Sequence, residues 1–448
     1  MSLNSENTVF CLTLGCSKNS VDSERIAGML RTAGFKMVPE VELAENAIIN
    51  TCGFIRSAVE ENIAAILDLV ELKSSGNLKR VGVVGCLVSR YGEELSKNIP
   101  EVDFWARCEE HDVIMRALSA DTIHLECNRS NTTNRYLLQG VSRHVRYLKI
   151  SEGCNNSCSY CTIPSIKGAL RSRPIDVTVK EAMDLVRDGA REICLIAQDL
   201  TAYGDDRGES HGLITLLDEL ESSLPVDVWL RMLYLQPYRV DRKLLERVAN
   251  GRQVLPYLDI PIQHSSHKIL NLMNRGSDPE DLFCIFETAR AIRSDFALRT
   301  TCMIGFPGES RADFDDLLRF IERVRFDRVG AFVFSPEEGT PASSLPGQVA
   351  ERTKTSRLER LMSLQEEISL SRQMLFVGKE MDVLIDSIDE CGEAEGRSYR
   401  EAPDVDGLIE LRISGEKFCV GDKVRVVITD AYEHDLTAEP VYEHRPGA

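Results

Sequence analysis

Two runs of strand-like and helix-like segments in alternation dominate this 448-residue chain, and they leave few folds open. In the first run, from 8 to about 118, residues 9–14, 47–50, 81–85 and 102–105 read as strands. Residues 19–33, 56–72, 90–97 and 111–118 read as helices, the first stopped by Gly34. Parallel neighbours need a crossover, and a helix is the usual one, so this alternation predicts an open, mostly parallel α/β sheet. From 145 to about 371 the pattern resumes. Strand candidates are 145–150, 192–197, 227–233, 257–262, 297–304 and 328–334. Helices are expected at 179–189, 214–222, 242–249, 281–293, 312–324 and 351 to about 372. Six β/α units predict a partial (β/α)6 barrel, whose chemistry gathers at the carboxyl ends of its strands.

Beyond the last helix, residues 379–385, 394–399, 407–411 and 423–431 read as strands between Gly, Asp and Pro turns, predicting a small all-β, OB-like barrel. The polar, aperiodic stretch from about 127 to 140 suits a linker. The expected division is 1–126, a linker at 127–143, a core at 144–370 and a tail at 371–448. The tail carries 9 Lys and Arg against 18 Asp and Glu, so half of the chain's net charge of −18 lies in its last sixth.

Fourteen cysteines without a secretion signal predict a reducing cytoplasm and metal or catalytic use instead of disulfides. No stretch approaches 18 apolar residues, so a soluble protein with no membrane partner is expected. Cys154, Cys158 and Cys161 stand at C-x3-C-x2-C directly after the first core strand. Three thiolates hold a four-iron cluster while leaving one iron open to a ligand. The alternative is a structural zinc loop with a distant fourth ligand. A second trio, Cys16, Cys52 and Cys86, follows the first three strands, at the edge where such sheets bind ligands. Flanking glycines let the backbone come close there, which points to a second metal site. The alternative is three buried thiols, as expected for Cys11, Cys108 and Cys127. Gly82 and Gly85 do not form a dinucleotide fingerprint. Polar residues mark the same end of nearly every core strand: Gln198 and Asp199, Gln263 and His264, the 305–309 turn and Glu338, with Arg231 inside the third strand. Singly, His264 could be a satisfied core histidine and Gln198 or Asp199 a helix cap. Cys194, Cys284 and Cys302 read as packing.

The stretch from Ser151 to Pro164 resembles the signature of the radical S-adenosylmethionine (radical SAM) enzymes. That resemblance implies a cofactor chelated to the open iron and cleaved by one electron to a 5′-deoxyadenosyl radical. It also implies cofactor contacts at Tyr160, Gln198, Arg231, Gln263 and Ile304, with Asp199 and Glu338 left open between cofactor and substrate. Over essentially the whole chain the three units resemble the methylthiotransferases, the tail corresponding to a TRAM domain. The implied cofactors are two [4Fe–4S] clusters and S-adenosyl-L-methionine, the second cluster on Cys16, Cys52 and Cys86, with an electron donor such as flavodoxin. Residues 14–24 are similar to the RimO branch, which modifies an aspartate β-carbon in small-subunit ribosomal protein twelve. The tRNA-directed branch, MiaB, carries Gln-Met-Asn where Ser17-Lys18-Asn19 stand here. Ser17, Ser20 and Lys167 depart from the residues usual in RimO proteins. A tail of net −9 would repel tRNA and attract a basic ribosomal protein, unless it only aids solubility. An unactivated C–H bond yields to a radical and not to a base. The carbon radical must then meet its sulfur donor at short range, so both trios are expected to face one cavity. A non-catalytic, metal-stabilised binding protein is the reading from a different class.

Overall fold

The computed structural model describes residues 7–119, 134–412 and 418–441. Cys127 and linker positions 127–133 lie outside them. The first unit runs β1 (Thr8–Thr13), α1 (Ser17–Thr32), β2 (Lys36–Val38), β3 (Asn46–Thr51), α2 (Arg56–Ser74), β4 (Arg80–Gly85), α3 (Cys86–Asn98), β5 (Phe104–Ala106) and α4 (His111–Leu118). Its five strands pair in parallel in the order β2-β1-β3-β4-β5. Strand residues alternate between two covered faces. Val9, Ile48 and Val84 pack with Ile26, Leu30 and Met115, and Ala47, Ile49 and Val83 pack with Ile66 and Leu69. Gly82 has a packing reason, because a Cβ there would fall inside the Phe104 ring.

The core runs β6 (Val145–Lys149), β7 (Ser151–Glu152), α5 (Ile163–Lys167), β8 (Arg171–Ser172), α6 (Ile175–Arg187), β9 (Glu192–Ile196), α7 (Gly212–Ser223), β10 (Trp229–Met232), α8 (Arg242–Ala249), β11 (Tyr257–Asp259), α9 (His267–Leu272), α10 (Pro279–Ile292), β12 (Ala297–Ile304), α11 (Arg311–Val324), β13 (Arg328–Val333) and α12 (Glu351–Gln373). β7 and β8 form a small antiparallel pair around the cluster loop. The long strands form two parallel ladders, β6-β9-β10 and β11-β12-β13, joined where Leu230 bridges Val254. This is the expected open six-stranded barrel. Leu195, Leu230, Leu258, Leu298, Cys302 and Ile304 turn outward against the helices.

The tail closes into a barrel of β14 (Glu380–Ile388), β15 (Ala394–Arg397), β16 (Ile409–Leu411), β17 (Lys423–Ala431) and β18 (Leu436–Pro440), ordered β14-β15-β16-β18-β17. Its Leu384 and Ala402 pack on Val145, Tyr257 and Ala297, which begin core strands, so the tail covers the barrel's amino-terminal mouth. Asp386, Glu401 and Asp406 are taken up there by His144, Arg328 and Arg299. Arg397 and Arg400 turn inward too, onto Glu192 and Asp327, so the outward remainder of the tail stays acidic.

Candidate active site at two facing sheet edges

Each cysteine of the first trio is delivered by a glycine. Gly15 has φ +100°, and a Cβ on it would lie 2.8 Å from Cys52 Cβ. A Cβ on Gly53 would lie 2.7 Å from the Cys86 carbonyl oxygen. Gly85, at φ +109°, turns the chain from β4 directly into α3, so Cys86 is the first helical residue. Cys16 sits one step earlier, as the N-cap residue of α1, with Ser17 the first helical residue. Helix N-termini favour thiolates and bound anions. Burial works against this, pushing the Cys86 thiol up to about 11 and raising Cys52, while the Lys167 ammonium pulls both back. Asn62 fixes the Cys52 loop, accepting from its N–H at 3.2 Å, and Asn19 donates to the Leu14 carbonyl at 2.8 Å.

The second trio lies on the loop between β7 and α5. Asn156 N–H donates to Cys154 Sγ at 3.4 Å and Ile163 N–H to Cys161 Sγ at 3.5 Å, bonds that favour thiolates. Burial nonetheless raises Cys154 and pushes Cys161 up to about 12. Arg275, almost fully buried, places Nη1 4.0 Å from Cys158 Sγ and donates to Tyr160 Oη at 3.1 Å. Its Nη2 is held by Gln236 Oε1 and the Pro261 carbonyl, both at 2.7 Å. Arg275 belongs to no motif, and its sequence surroundings give no hint of this position.

The expected cofactor contacts separate into two groups. Tyr160 packs edge-on against Phe306, ring centroids 6.4 Å apart. Gln198 Nε2 donates to Glu152 Oε1 at 3.1 Å, leaving its own Oε1 buried and without a hydrogen bond. Gln263 sits at φ +67°, and its Oε1 is likewise unbonded, as are His264 Nε2 and Ser265 Oγ. Buried polar atoms without partners call for a ligand or water. Such unbonded polar atoms beyond the carboxyl ends of β9 and β11, the strand ends that also carry the cluster loop after β6, fit a polar cofactor on a thiolate-held cluster. Ile304 differs, because its side chain faces the helices and only its main chain reaches the edge. Arg231 is a correction. It is fully buried, with Nε on Glu192 at 2.5 Å and its terminal nitrogens on the Tyr399 and Ser398 carbonyls at 2.8 and 3.2 Å. Its donors bind the tail to the barrel, a contact made to residues more than 160 positions away.

Asp199 acts as a cap, accepting from Ala202 N–H at 3.1 Å, and also holds Asn156 of the cluster loop at 2.9 Å. His264 is half satisfied: Nδ1 accepts from Ser265 and Ser266 N–H, and Nε2 lies 3.6 Å from Glu309. Cys284 is exposed, so it does not pack as expected. Glu338 is exposed, and its carbonyl accepts from Arg90 at 2.9 Å. Its buried neighbour Glu337, which the sequence reading missed, accepts from Arg56 N–H at 3.0 Å and pairs with Arg90 at 3.2 Å. Arg90 also donates to the Gly53 carbonyl at 2.9 Å, next to Cys52. Thr162, next to Cys161, donates to the Phe54 carbonyl at 3.5 Å. The two cysteine-bearing edges therefore face each other. Between them Lys149 pairs with Asp22 and Glu152, while Lys167 lies 3.3 Å from Glu152 and 3.8 Å from Asp22. Burial alone would raise the Glu152 carboxyl, yet the two lysines hold it far below its usual range.

An open β/α barrel whose first loop presents C-x3-C-x2-C is the framework of a radical SAM enzyme, and residues 148–321 match the Radical SAM superfamily. Residues 377–441 match the TRAM domain, and residues 8–107 match the Uncharacterized protein family UPF0004. The chain is 42% identical over 448 residues to the ribosomal protein uS12 methylthiotransferase RimO of Anaeromyxobacter sp. (strain Fw109-5), covering 97% of this chain and 93% of that one. It is 40% identical to the RimO of Geobacter sulfurreducens, covering 97% and 99%. It belongs to the RimO family of radical SAM methylthiotransferases. Two solved structures share the fold at low identity. The radical SAM methyltransferase TsrM of Kitasatospora setae has a TM-score of 0.55 at 12% identity over 75% of this chain and 77% of its own. The cobalamin-dependent OxsB has 0.51 at 13% over 82% and 62%.

Proposed function

We propose that this chain installs a methylthio group on the β-carbon of an aspartate in ribosomal protein uS12, using two [4Fe–4S] clusters and S-adenosyl-L-methionine. The observation that carries the reading is the contact between the two cysteine-bearing edges, through Thr162 on Phe54 and Arg90 on both Gly53 and Glu337. Near-full-length similarity to RimO proteins supports the same choice. Cys154, Cys158 and Cys161 would hold one cluster and Cys16, Cys52 and Cys86 the other. When bound, these groups supply a carbon radical that takes hydrogen from an unactivated C–H bond, and the sulfur that replaces it.

The chain's own residues hold and orient. Tyr160, Gln198, Gln263 and the main chain at Ile304 would hold the cofactor, and Arg231 is left out of that set. Arg275 and the loop N–H groups stabilise the Cys154–Cys161 thiolates, and Lys167 offsets the charge of Cys52 and Cys86. The Arg90–Glu337 pair, both side chains under a tenth exposed, keeps the two edges closed against water. The acidic tail would steer a basic ribosomal protein, and a donor such as flavodoxin would supply electrons. Working units of 1–126, 144–370 and 371–448, joined by a linker at 127–143, follow from this reading. No helix among the described residues is long and apolar enough to cross a membrane. The test is to offer anaerobically reconstituted enzyme both uS12 and tRNA and to weigh the products. Gain of a methylthio group on uS12 is expected; gain on tRNA alone would refute the choice.

A further inference from the structure

Lys18 lies in the first turn of α1, two residues past Cys16, and reaches across to the other sheet edge. Its ammonium stands 3.8 Å from the centroid of the Tyr234 ring. Tyr234 follows β10 and has φ +68°, an uncommon and strained conformation for a residue with a side chain. Neighbours hold it there: Asp259 Oδ2 accepts its N–H at 2.9 Å, and its carbonyl accepts Leu200 N–H at 3.1 Å. The imposed backbone fixes Tyr234 where its ring meets the lysine.

The other cations at these edges are spoken for. Lys149 and Lys167 face Asp22 and Glu152, Arg90 faces Glu337, and Arg275 is held by Tyr160, Gln236 and Pro261. Lys18 alone among them has neither a carboxylate nor a hydrogen-bond partner among the described residues. A ring face positions an ammonium without neutralising it, so the charge stays available to an anion. We infer that Lys18 is the counter-charge for the side-chain carboxylate of the substrate, with Tyr234 flanking that side chain. The inference rests on the substrate being an aspartate. A carboxylate entering a half-buried cleft loses hydration and needs an opposite charge, whereas an amide or a nucleoside does not. Lys18 therefore sets the preference for Asp over Asn.

The test uses the full chain with both clusters reconstituted and two peptides copying the acceptor loop of uS12, one with Asp and one with Asn at the acceptor position. The Asn peptide is measured as a competitor. The unaltered enzyme is expected to bind the Asp peptide about 10- to 100-fold more tightly. Lys18→Met and the polar Lys18→Gln should bring the two peptides to equal affinity by weakening only the Asp peptide. Lys18→Arg, which keeps the charge, should retain the preference to within about threefold. An undiminished preference for Asp in Lys18→Met, or equal weakening of both peptides, would overturn the inference. Failure of the underlying reading looks different. The unaltered enzyme would then modify tRNA and leave the Asp peptide untouched, before any variant is made.

Discussion

Glu181 joins the first unit to the barrel, and removing its charge should loosen that joint by an amount the structure allows to be worked out. Its carboxylate lies on α6 with no solvent exposure and meets three guanidiniums: Arg173 at 2.6 Å, Arg25 of α1 at 3.1 Å and Arg135 at 3.3 Å. Burial alone would raise its pKa, but the three arginines bring it down from 4.5 to about 2. A shift of that size corresponds to about 3 kcal/mol of folded-state stabilisation. The cost of breaking a buried ion pair, about 3–5 kcal/mol, agrees. Because the folded carboxyl is depressed, this contribution is complete above about pH 4.5 and is lost as pH falls through about 2. Glu181→Gln in metal-free protein should therefore lose about 3 kcal/mol at pH 7 in urea unfolding. Trp105 in the first unit and Trp229 in the barrel report the transition by fluorescence. The gap between variant and parent should shrink as the pH approaches 2. A loss below about 1 kcal/mol at pH 7, or a gap that stays constant into acid, would refute the reasoning.

Four further substitutions probe the cluster sites. Gly53→Ala drives a methyl group into the Cys86 main chain, where flexible side chains cannot yield, so iron analysis should show loss of one cluster's iron with the other retained. Arg275→Met strips Cys158 of its counter-charge and leaves Gln236 Oε1 and the Pro261 carbonyl unpaired, which should cost about 3 kcal/mol in thermal unfolding and lower iron uptake. Cys158→Ala should abolish reductive cleavage of S-adenosylmethionine, seen as missing 5′-deoxyadenosine by chromatography. Cys52→Ala should keep cleavage and lose methylthiolation, and identical behaviour of the two variants would contradict separate roles.

What the sequence disclosed follows from the range of its signals. Period-two and period-3.6 patterns are local, so α4, α8, β12 and β17 were read to the residue. β2 and β18 were missed, the first because three residues carry no pattern and the second because an acidic, proline-ended segment resembles a frayed end. The pattern starts α3 only at Arg90, because Gly85 to Val88 continues an apolar strand; only the positive φ of Gly85 reveals the turn that makes Cys86 a helix N-terminus. The cysteines were legible because soft ligands at fixed spacing, or at equivalent strand ends, are rare by chance. Arg231, Glu337 and Arg275 were not, because their roles depend on partners that only the folded chain brings near. Arg90 and Glu337 are separated by 247 positions. In the sequence Lys18 marks only a difference between branches, and its place over Tyr234 is visible only in three dimensions.

Everything proposed for this chain depends on two inorganic centres lying across one narrow cleft. Pulsed electron paramagnetic resonance of the reduced, fully reconstituted enzyme tests this most directly. Two cluster signals with strong mutual coupling are expected, collapsing to one uncoupled signal in Cys52→Ala. A single signal in the unaltered enzyme, or two that do not interact, would contradict the account.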